Sequence, residues 1–543
     1  MRTPTSIIAA GLALAACSPG GDTDTQPTVP ESTVTATRTS MPRPAPPPST
    51  TPSPAPSLPW GPTRAEYDEA AAIVATMSTE ELAGQVIVAR YDGRAAPVDL
   101  VNRNHLGGVI VMGENVESPD QVREMIADLR SGVDRPYPLV VTVDQEGGRV
   151  ARVLEPATEF PSLMTLGASR DADLAARVAR ASGLELRAMG FTMVFAPDAD
   201  VTSGPDDPTI GSRSVSSDPD LVAQIVGGAV RGYTDAGIVA VAKHFPGHGS
   251  VPADSHVELP VQSASLEELA ERDLVPFRSA VDGGVPAVMV AHLNVAAVDP
   301  GVPSSVSRPV VSLLRDDLGF DGVIVTDAQD MAGLTASYGA GDAAVRSLEA
   351  GVDMVLMPAD VAAAHDGIVS AVESGRLDPR RLEEAATRIV ALAIHQAAAG
   401  SAPDVEVIGS HSDESYAASL AGMSVIEGPC EGRLVGDAIQ VAGGTSTDRA
   451  RLVEAAEAAG LAVGSGEVVR LLGALPPNPG SGDVVVSLDT PYALADSSAT
   501  TAKIALYGRT PDAFRALVDV LTGAVSAEGR LPVDVPGVQR DGC

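Results

Sequence analysis

Between residues 86 and 357 the sequence repeats one pattern eight times: a short run rich in Val and Ile, a polar residue or two, then an amphipathic helical stretch. The runs occupy 86–91, 107–112, 139–143, 192–196, 239–242, 287–290, 323–326 and 354–357. Segments such as 172–189, 221–234, 266–281 and 343–350 carry helical periodicity between them. Apolar runs without alternation belong to strands covered on both faces, the situation of a parallel sheet under helices. Eight such units in about 300 residues predict a (β/α)8 barrel, TIM-like, rather than an open doubly wound sheet. No Gly-x-Gly-x-x-Gly follows the first runs, which removes the usual signature of a dinucleotide site.

A barrel places its chemistry at the C-terminal ends of its strands. The residues just after the eight runs include Asp92, Glu114, Asp144, Glu146, Asp198, Asp200, Lys243, His244, His292, Asn294, Asp327 and Asp360, a ring of carboxylates around one cationic pair. Asp92, Glu114 and Asp360 read as solvated loop charges. Asp144, Lys243, His244 and Asp327 each abut an apolar strand and are the candidates for function.

The fifth unit ends in KHFPGHGSVPADSH, residues 243–256, which holds three of the chain's eight histidines. It also holds Lys243, one of only two lysines in a chain whose other cations are arginines, so the position calls for a compact ammonium rather than a guanidinium fork. A metal site built from His244, His248, His256 and Asp254 lacks helical spacing across Pro246 and Gly247, and no metal is expected. Acid–base chemistry suits the stretch better. In an extended Asp254-Ser255-His256 the outer side chains share one face, and the carboxylate can accept a ring N–H, fixing the tautomer and raising the imidazole pKa toward neutrality. Such an acid needs a nucleophile, and Asp327 in GVIVTDAQDM is held at a barrel rim by four preceding apolar residues. Carboxylate nucleophiles suit glycosides, whose transition states resemble oxocarbenium ions. Asp144, Lys243, His244 and Arg213 then become hydrogen-bonding groups for sugar hydroxyls.

Outside the barrel region the sequence changes character twice. Residues 1–16 are a short apolar leader, and Leu14-Ala15-Ala16-Cys17 resembles a bacterial lipobox, which implies cleavage before Cys17 and lipidation of its thiol. Residues 17–62 are mostly Pro, Ser and Thr, expected as an extended tether. Ser78-Thr79-Glu80-Glu81 carries a capping-box pattern and should start a helix near the entry to the catalytic domain, 63–400. Beyond residue 404 the runs 484–488 and 503–508 and a helix over 511–522 predict a second, smaller parallel-sheet α/β domain, 404–543. Acidic residues outnumber basic ones by 71 to 37, so a nucleic acid partner is not expected and the membrane is met only through the lipid. Export leaves Cys430 and Cys543 in an oxidising compartment, free to pair or not.

Four strings in order, VDQEGGRVAR (143–152), IGSRSVSSDP (210–219), KHFPGHGSVPADSH and GFDGVIVTDAQDM (319–331), closely resemble the glycoside hydrolase family 3 β-N-acetylglucosaminidases. The resemblance implies that Asp327 forms a covalent glycosyl intermediate and that Asp254 and His256 supply the acid/base. It further implies that Asp144, Arg152, Arg213, Lys243 and His244 line the subsite for N-acetylglucosamine. Family members of the β-glucosidase type use a glutamate from elsewhere and lack the Asp-x-His loop. Val215 and Thr202 stand where the family more often has Phe and Asn. The C-terminal VVVSLDTPYAL and GRLPVDVPG resemble the second domain of two-domain members, a sandwich.

The resemblance and the leader together imply a retaining exo-β-N-acetylglucosaminidase, expected to be lipid-anchored at the outer face of the cell membrane. It would act without a cofactor on peptidoglycan-derived muropeptides or other glycans, with a monomer taken as the default. The alternatives are a family 3 glycosidase or phosphorylase of other glycone specificity, or a non-catalytic glycan-binding lipoprotein.

Overall fold

The computed structural model describes residues 57–538 and 541–543. The leader, Cys17 with its expected lipid, and the tether as far as residue 56 lie outside the described residues. The last tether residues are not extended spacer. Trp60 is buried against Tyr67, and Ser57 bridges Thr63, whose side chain caps the helix Arg64–Val74. A large apolar ring has more to gain in the core than in water, so the folded unit begins before residue 63.

All eight expected strands form: β1 (Ile87–Ala89), β2 (Gly108–Val111), β3 (Val140–Val143), β4 (Met193–Val194), β5 (Val239–Phe245), β6 (Ala287–Val290), β7 (Val323–Thr326) and β8 (Val355–Leu356). They pair in parallel in the order β8-β1-β2-β3-β4-β5-β6-β7, and a parallel bridge from Val325 to Met354 joins the two ends into a barrel. Every residue of these strands is buried, which is why they read as apolar runs rather than as alternation.

The helices between them start and stop on local chemistry. Ser78 and Glu81 form the expected capping box. Ala172–Met189 begins on Asp171 and ends on Gly190 in the left-handed region, and Pro219–Ala236 begins on Asp218-Pro219 and ends on Gly237. The stretch 266–281 is not one helix but two, Leu266–Glu271 and Leu274–Asp282. Pro276 cannot donate to the carbonyl of Arg272 and clashes with it, so the chain breaks there. Opposite the candidate site, the buried Asp353 just before β8 binds Arg315 at 2.7 Å, Arg381 at 2.6 Å and Arg388 at 3.2 Å.

The C-terminal sheet has six strands: β9 (Ser424–Glu427), β10 (Ala438–Gly443), β11 (Ala462–Val463), β12 (Glu467–Leu472), β13 (Ser481–Ser487) and β14 (Ser498–Ala505). Their order is β9-β14-β13-β12-β10-β11. The expectation of a parallel sheet needs correction at one edge, because β9 pairs antiparallel with β14. An edge strand needs no crossover helix on its outer side and can run either way. Helix Pro511–Leu521 buries its apolar face on this sheet, close to its expected 511–522 span. Cys430 and Cys543 are paired, with Cα atoms 5.5 Å apart.

Candidate active site

Four of the residues expected to bind sugar converge on one web of charges at the strand ends. Lys243, at the end of β5, donates to Asp144 after β3 at 2.7 Å and approaches Glu146 at 2.6 Å. Arg213, on a one-turn helix after β4, grips Glu146 in a fork, Nε to Oε2 at 2.8 Å and Nη2 to Oε1 at 2.9 Å. Arg152 reaches Asp144 more loosely, at 4.0 Å. Glu146 stands in the same loop as Asp144 but was not singled out by sequence. Its signal was its place two residues beyond a strand-end aspartate. Burial opposes its charge, yet the guanidinium of Arg213 and the ammonium of Lys243 outweigh this and hold the carboxyl well below the usual range. For Lys243 burial again opposes the charged form, while Asp144 and Glu146 more than offset it and raise the pKa.

His244 lies between Arg213 and a second carboxylate pair. Its Nδ1 is 2.7 Å from Asp200 Oδ2 and its Nε2 is 3.2 Å from Arg213 Nη2. A guanidinium can only donate, so Nε2 accepts and the ring proton sits on Nδ1. Burial, then the cation of Arg213, lowers the His244 pKa to about 4. Asp198 and Asp200 go the other way: burial, then the adjacent Asp200, raises Asp198, and burial pushes Asp200 up to about 7. The pair therefore holds a proton into the neutral range. Asp198, Asp200 and His244 form the one group among the described residues close enough to share a cation, not the His244, His248, His256 and Asp254 set weighed from sequence. Arg213, 3.5 Å from Asp198 Oδ2, already supplies a positive charge there.

Asp327 follows β7 at the barrel mouth, half-buried, with Oδ1 accepting the Ala328 N–H at 2.8 Å. Burial would raise its pKa, but His244, His292, the Ala328 amide and Lys243 together lower it below the usual carboxylate value. His292, another residue outside the expected site list, is fully buried. Its Nε2 donates to the Ala328 carbonyl at 2.9 Å, and Nδ1 pairs with the Ser305 hydroxyl at 2.7 Å. It thereby braces the backbone that presents Asp327.

The loop after β5 turns on glycines. Gly247 has φ +122, and a Cβ there would fall 2.6 Å from Asp273 Cβ, while one on Gly249 would meet Val201 O at 2.6 Å. His248 helps to fix the shape of this loop. Its backbone N–H donates to Asp200, and its Nε2 lies 2.8 Å from the hydroxyl of buried Ser255. The Ser255 carbonyl accepts the Gly333 N–H at 3.0 Å, six residues beyond Asp327. Ser255 is thus pinned to both sides of the mouth, and its neighbours Asp254 and His256 project from it.

His256 Nδ1 is 2.7 Å from Asp254 Oδ1, and the same oxygen accepts the His256 backbone N–H at 2.9 Å. The segment is a turn rather than the extended tripeptide expected, with Val257 and Glu258 N–H groups returning to the Asp254 carbonyl. An aspartate side chain readily bonds the backbone two residues on, and that local bond closes the turn. Burial opposes the Asp254 carboxylate, but the His256 amide and ring outweigh it and lower its pKa. The His256 ring is 64% exposed, free to meet a leaving group or water. Thr202 bonds Asp207 at 2.9 Å, and Val215 is fully buried, so neither departure from the family's usual residues touches the dyad.

Comparison with known proteins places these features. A family profile described as the glycosyl hydrolase family 3 N terminal domain matches residues 78–392. Beta-hexosaminidase A of Pseudoalteromonas piscicida is 33% identical over 360 residues, spanning 61% of this chain, which covers 60% of that protein's length. Beta-hexosaminidase LpqI of Mycobacterium tuberculosis is 34% identical over 333 residues, 60% of this chain and 85% of that one. Among solved structures, a glycoside hydrolase family 3 beta-N-acetylglucosaminidase from Paenibacillus sp. str. FPU-7 is 30% identical with a TM-score of 0.76, over 85% of this chain and 99% of that one.

Proposed function

The chain belongs to glycosyl hydrolase family 3, and from that premise we propose that it is a retaining β-N-acetylhexosaminidase using Asp327 as nucleophile and the Asp254–His256 pair as acid/base. The observation that carries this reading is the dyad itself: a histidine with one nitrogen fixed on a carboxylate and its ring largely exposed, on a loop pinned beside the strand that ends in Asp327. A binding protein has no use for that arrangement.

In the proposed course, Asp327 Oδ2 attacks the anomeric carbon while Oδ1 stays on the Ala328 amide. His256 Nε2 gives its proton to the departing glycosidic oxygen and the C–O bond breaks. Asp254 holds the Nδ1 side of the ring and stabilises the imidazolium that exists before this transfer and re-forms when the ring takes a proton from water. A water then enters, His256 takes its proton, and the hydroxide displaces Asp327 with overall retention. Lys243, Asp144, Arg152, Arg213 and His244 hold the sugar hydroxyls and acetamido group, fixed beforehand by Glu146 and Asp200 so that little reorganisation accompanies binding.

The substrate class we propose is small peptidoglycan-derived fragments with a terminal N-acetylglucosamine, met outside the cell by an enzyme tethered through lipidated Cys17. The lipobox-like leader and the Cys430–Cys543 disulfide support an exported location. Among the described residues no helix is long and apolar enough to cross a membrane. Hydrolysis of nitrophenyl β-N-acetylglucosaminide against the β-glucoside, by wild type and Asp327→Asn, tests the assignment. A strong preference for the N-acetyl sugar, abolished in the variant, is expected; equal rates on both sugars would overturn it.

A further inference from the structure

The loop that carries Arg213 has one helical turn and no strand to hold it, yet the guanidinium sits in a fork with Glu146. Part of what fixes the loop comes from its own side chains. Asp207 accepts the N–H groups of Thr209, Ile210 and Gly211 at 3.1, 2.8 and 3.1 Å, and Ser214 Oγ donates to the Asp200 carbonyl at 2.7 Å. The residue directly before Arg213 is held from elsewhere. Ser212 Oγ donates to Asp489, which lies just past β13 in the C-terminal domain, is buried, and stands 277 positions away.

Asp489 meets a second active-site loop as well. Arg149, from the VDQEGGRVAR string, approaches it at 3.8 Å and donates onward to the Thr209 carbonyl at 3.2 Å. The next residue, Thr490, places its methyl 3.5 Å from where a Cβ on Gly211 would stand, at a backbone φ of +53. Further along the loop, Ser216 Oγ and the Ser217 N–H both donate to the Pro532 carbonyl of the same domain. The C-terminal domain thus clamps the loop on both sides of Arg213 and touches no other expected sugar-binding residue at these points.

We propose that Asp489 is a positioning residue for Arg213, and that the C-terminal domain serves the active site by holding the Arg213 loop in register with Glu146. It acts through Ser212 and has no contact with substrate. The proposal rests on the reading of Arg213 as a sugar-binding group, and it assigns the second domain a part in substrate affinity rather than in acid–base chemistry.

A loosened Arg213 weakens ground state and transition state alike, so the signature is a raised KM with kcat little changed. Asp489→Ala should raise KM for the N-acetylglucosaminide about tenfold, with kcat within about threefold of wild type. Asp489→Asn keeps an oxygen for the Ser212 hydroxyl and should stay near wild type. Ser212→Ala, which leaves the C-terminal domain untouched, should reproduce Asp489→Ala even if the latter unfolds that domain. Hydrogen exchange over residues 207–217 gives a readout that needs no substrate: it should accelerate in both alanine variants and not in Asp489→Asn. Unaltered exchange over 207–217 in Ser212→Ala and Asp489→Ala would overturn the clamp, whether or not the wild type proves to cleave N-acetylglucosaminides. Faster exchange with an unaltered KM would overturn the link to Arg213.

Discussion

His256 Nδ1 and Asp254 Oδ1 lie 2.7 Å apart in an exposed turn, with the histidine side chain largely open to solvent. General acid–base assistance contributes about 10²- to 10⁴-fold. His256→Ala should therefore lose activity within that range, least on substrates with good leaving groups, whose departure needs little protonation. Azide should then restore turnover by displacing the intermediate without a base, and the product should be a β-glycosyl azide. Asp254→Asn should behave as a milder copy, since an amide still holds the ring but no longer stabilises its cation. Loss of activity with no azide rescue would place the acid/base elsewhere.

Glu146 holds Arg213 in a fork and Lys243 at 2.6 Å. Removing its charge leaves two buried cations facing each other, while Glu146→Gln preserves shape. The expected outcome is a rise in KM of one to two orders of magnitude, roughly what misplacing a binding group costs, with kcat affected less. Steady-state kinetics on the nitrophenyl substrate checks this, and an unaltered KM would show that the fork is not needed for binding.

The pH profile follows from two groups that must keep their states on the acid side. Asp327 must be ionised, and its depressed pKa keeps it so below the usual carboxylate range. His244 must be neutral to accept from Arg213, and with a pKa of about 4 it is protonated only below that pH. Both states are lost as pH falls and neither as it rises. The acid limb of kcat/KM should thus lie at about pH 4 or lower. A limb above about pH 5.5 would contradict the assignment of these two residues.

Asp353 is a structural counterpart far from the chemistry. Burial works against its charge, but Arg315, Arg381 and Arg388 outweigh it and depress its pKa. A depressed carboxyl stabilises the fold above its unfolded value and loses that contribution as pH falls through the folded one. Asp353→Ala strands three guanidiniums and should destabilise by about 3–5 kcal/mol, the usual cost of breaking a buried ion pair. Chemical denaturation at neutral pH measures it, and the gap from wild type should narrow in acid.

The barrel was legible because strands buried on both faces must be apolar throughout, so their ends, and Asp327, Lys243 and His244 at those ends, could be read directly. The dyad was legible because its members are two residues apart, although an Asx-type bond folds them into a turn rather than an extended tripeptide. Glu146, Asp198, Asp200 and His292 escaped selection because their partners arrive from other strands. Glu146 meets Arg213 across 67 positions, and no local pattern records that meeting. The helix break is written in the sequence at Pro276, whereas the antiparallel edge strand has no local signature at all.

Asp327 is the residue proposed to carry the glycosyl group. In His256→Ala the intermediate should form from an activated N-acetylglucosaminide faster than water removes it, because the base that activates water is missing. Peptide mass spectrometry of that variant, quenched in acid and digested, tests this directly. One added N-acetylhexosaminyl residue is expected on the peptide containing Asp327, absent in the double variant with Asp327→Asn; an adduct on another residue, or turnover persisting in Asp327→Asn, would contradict the assignment.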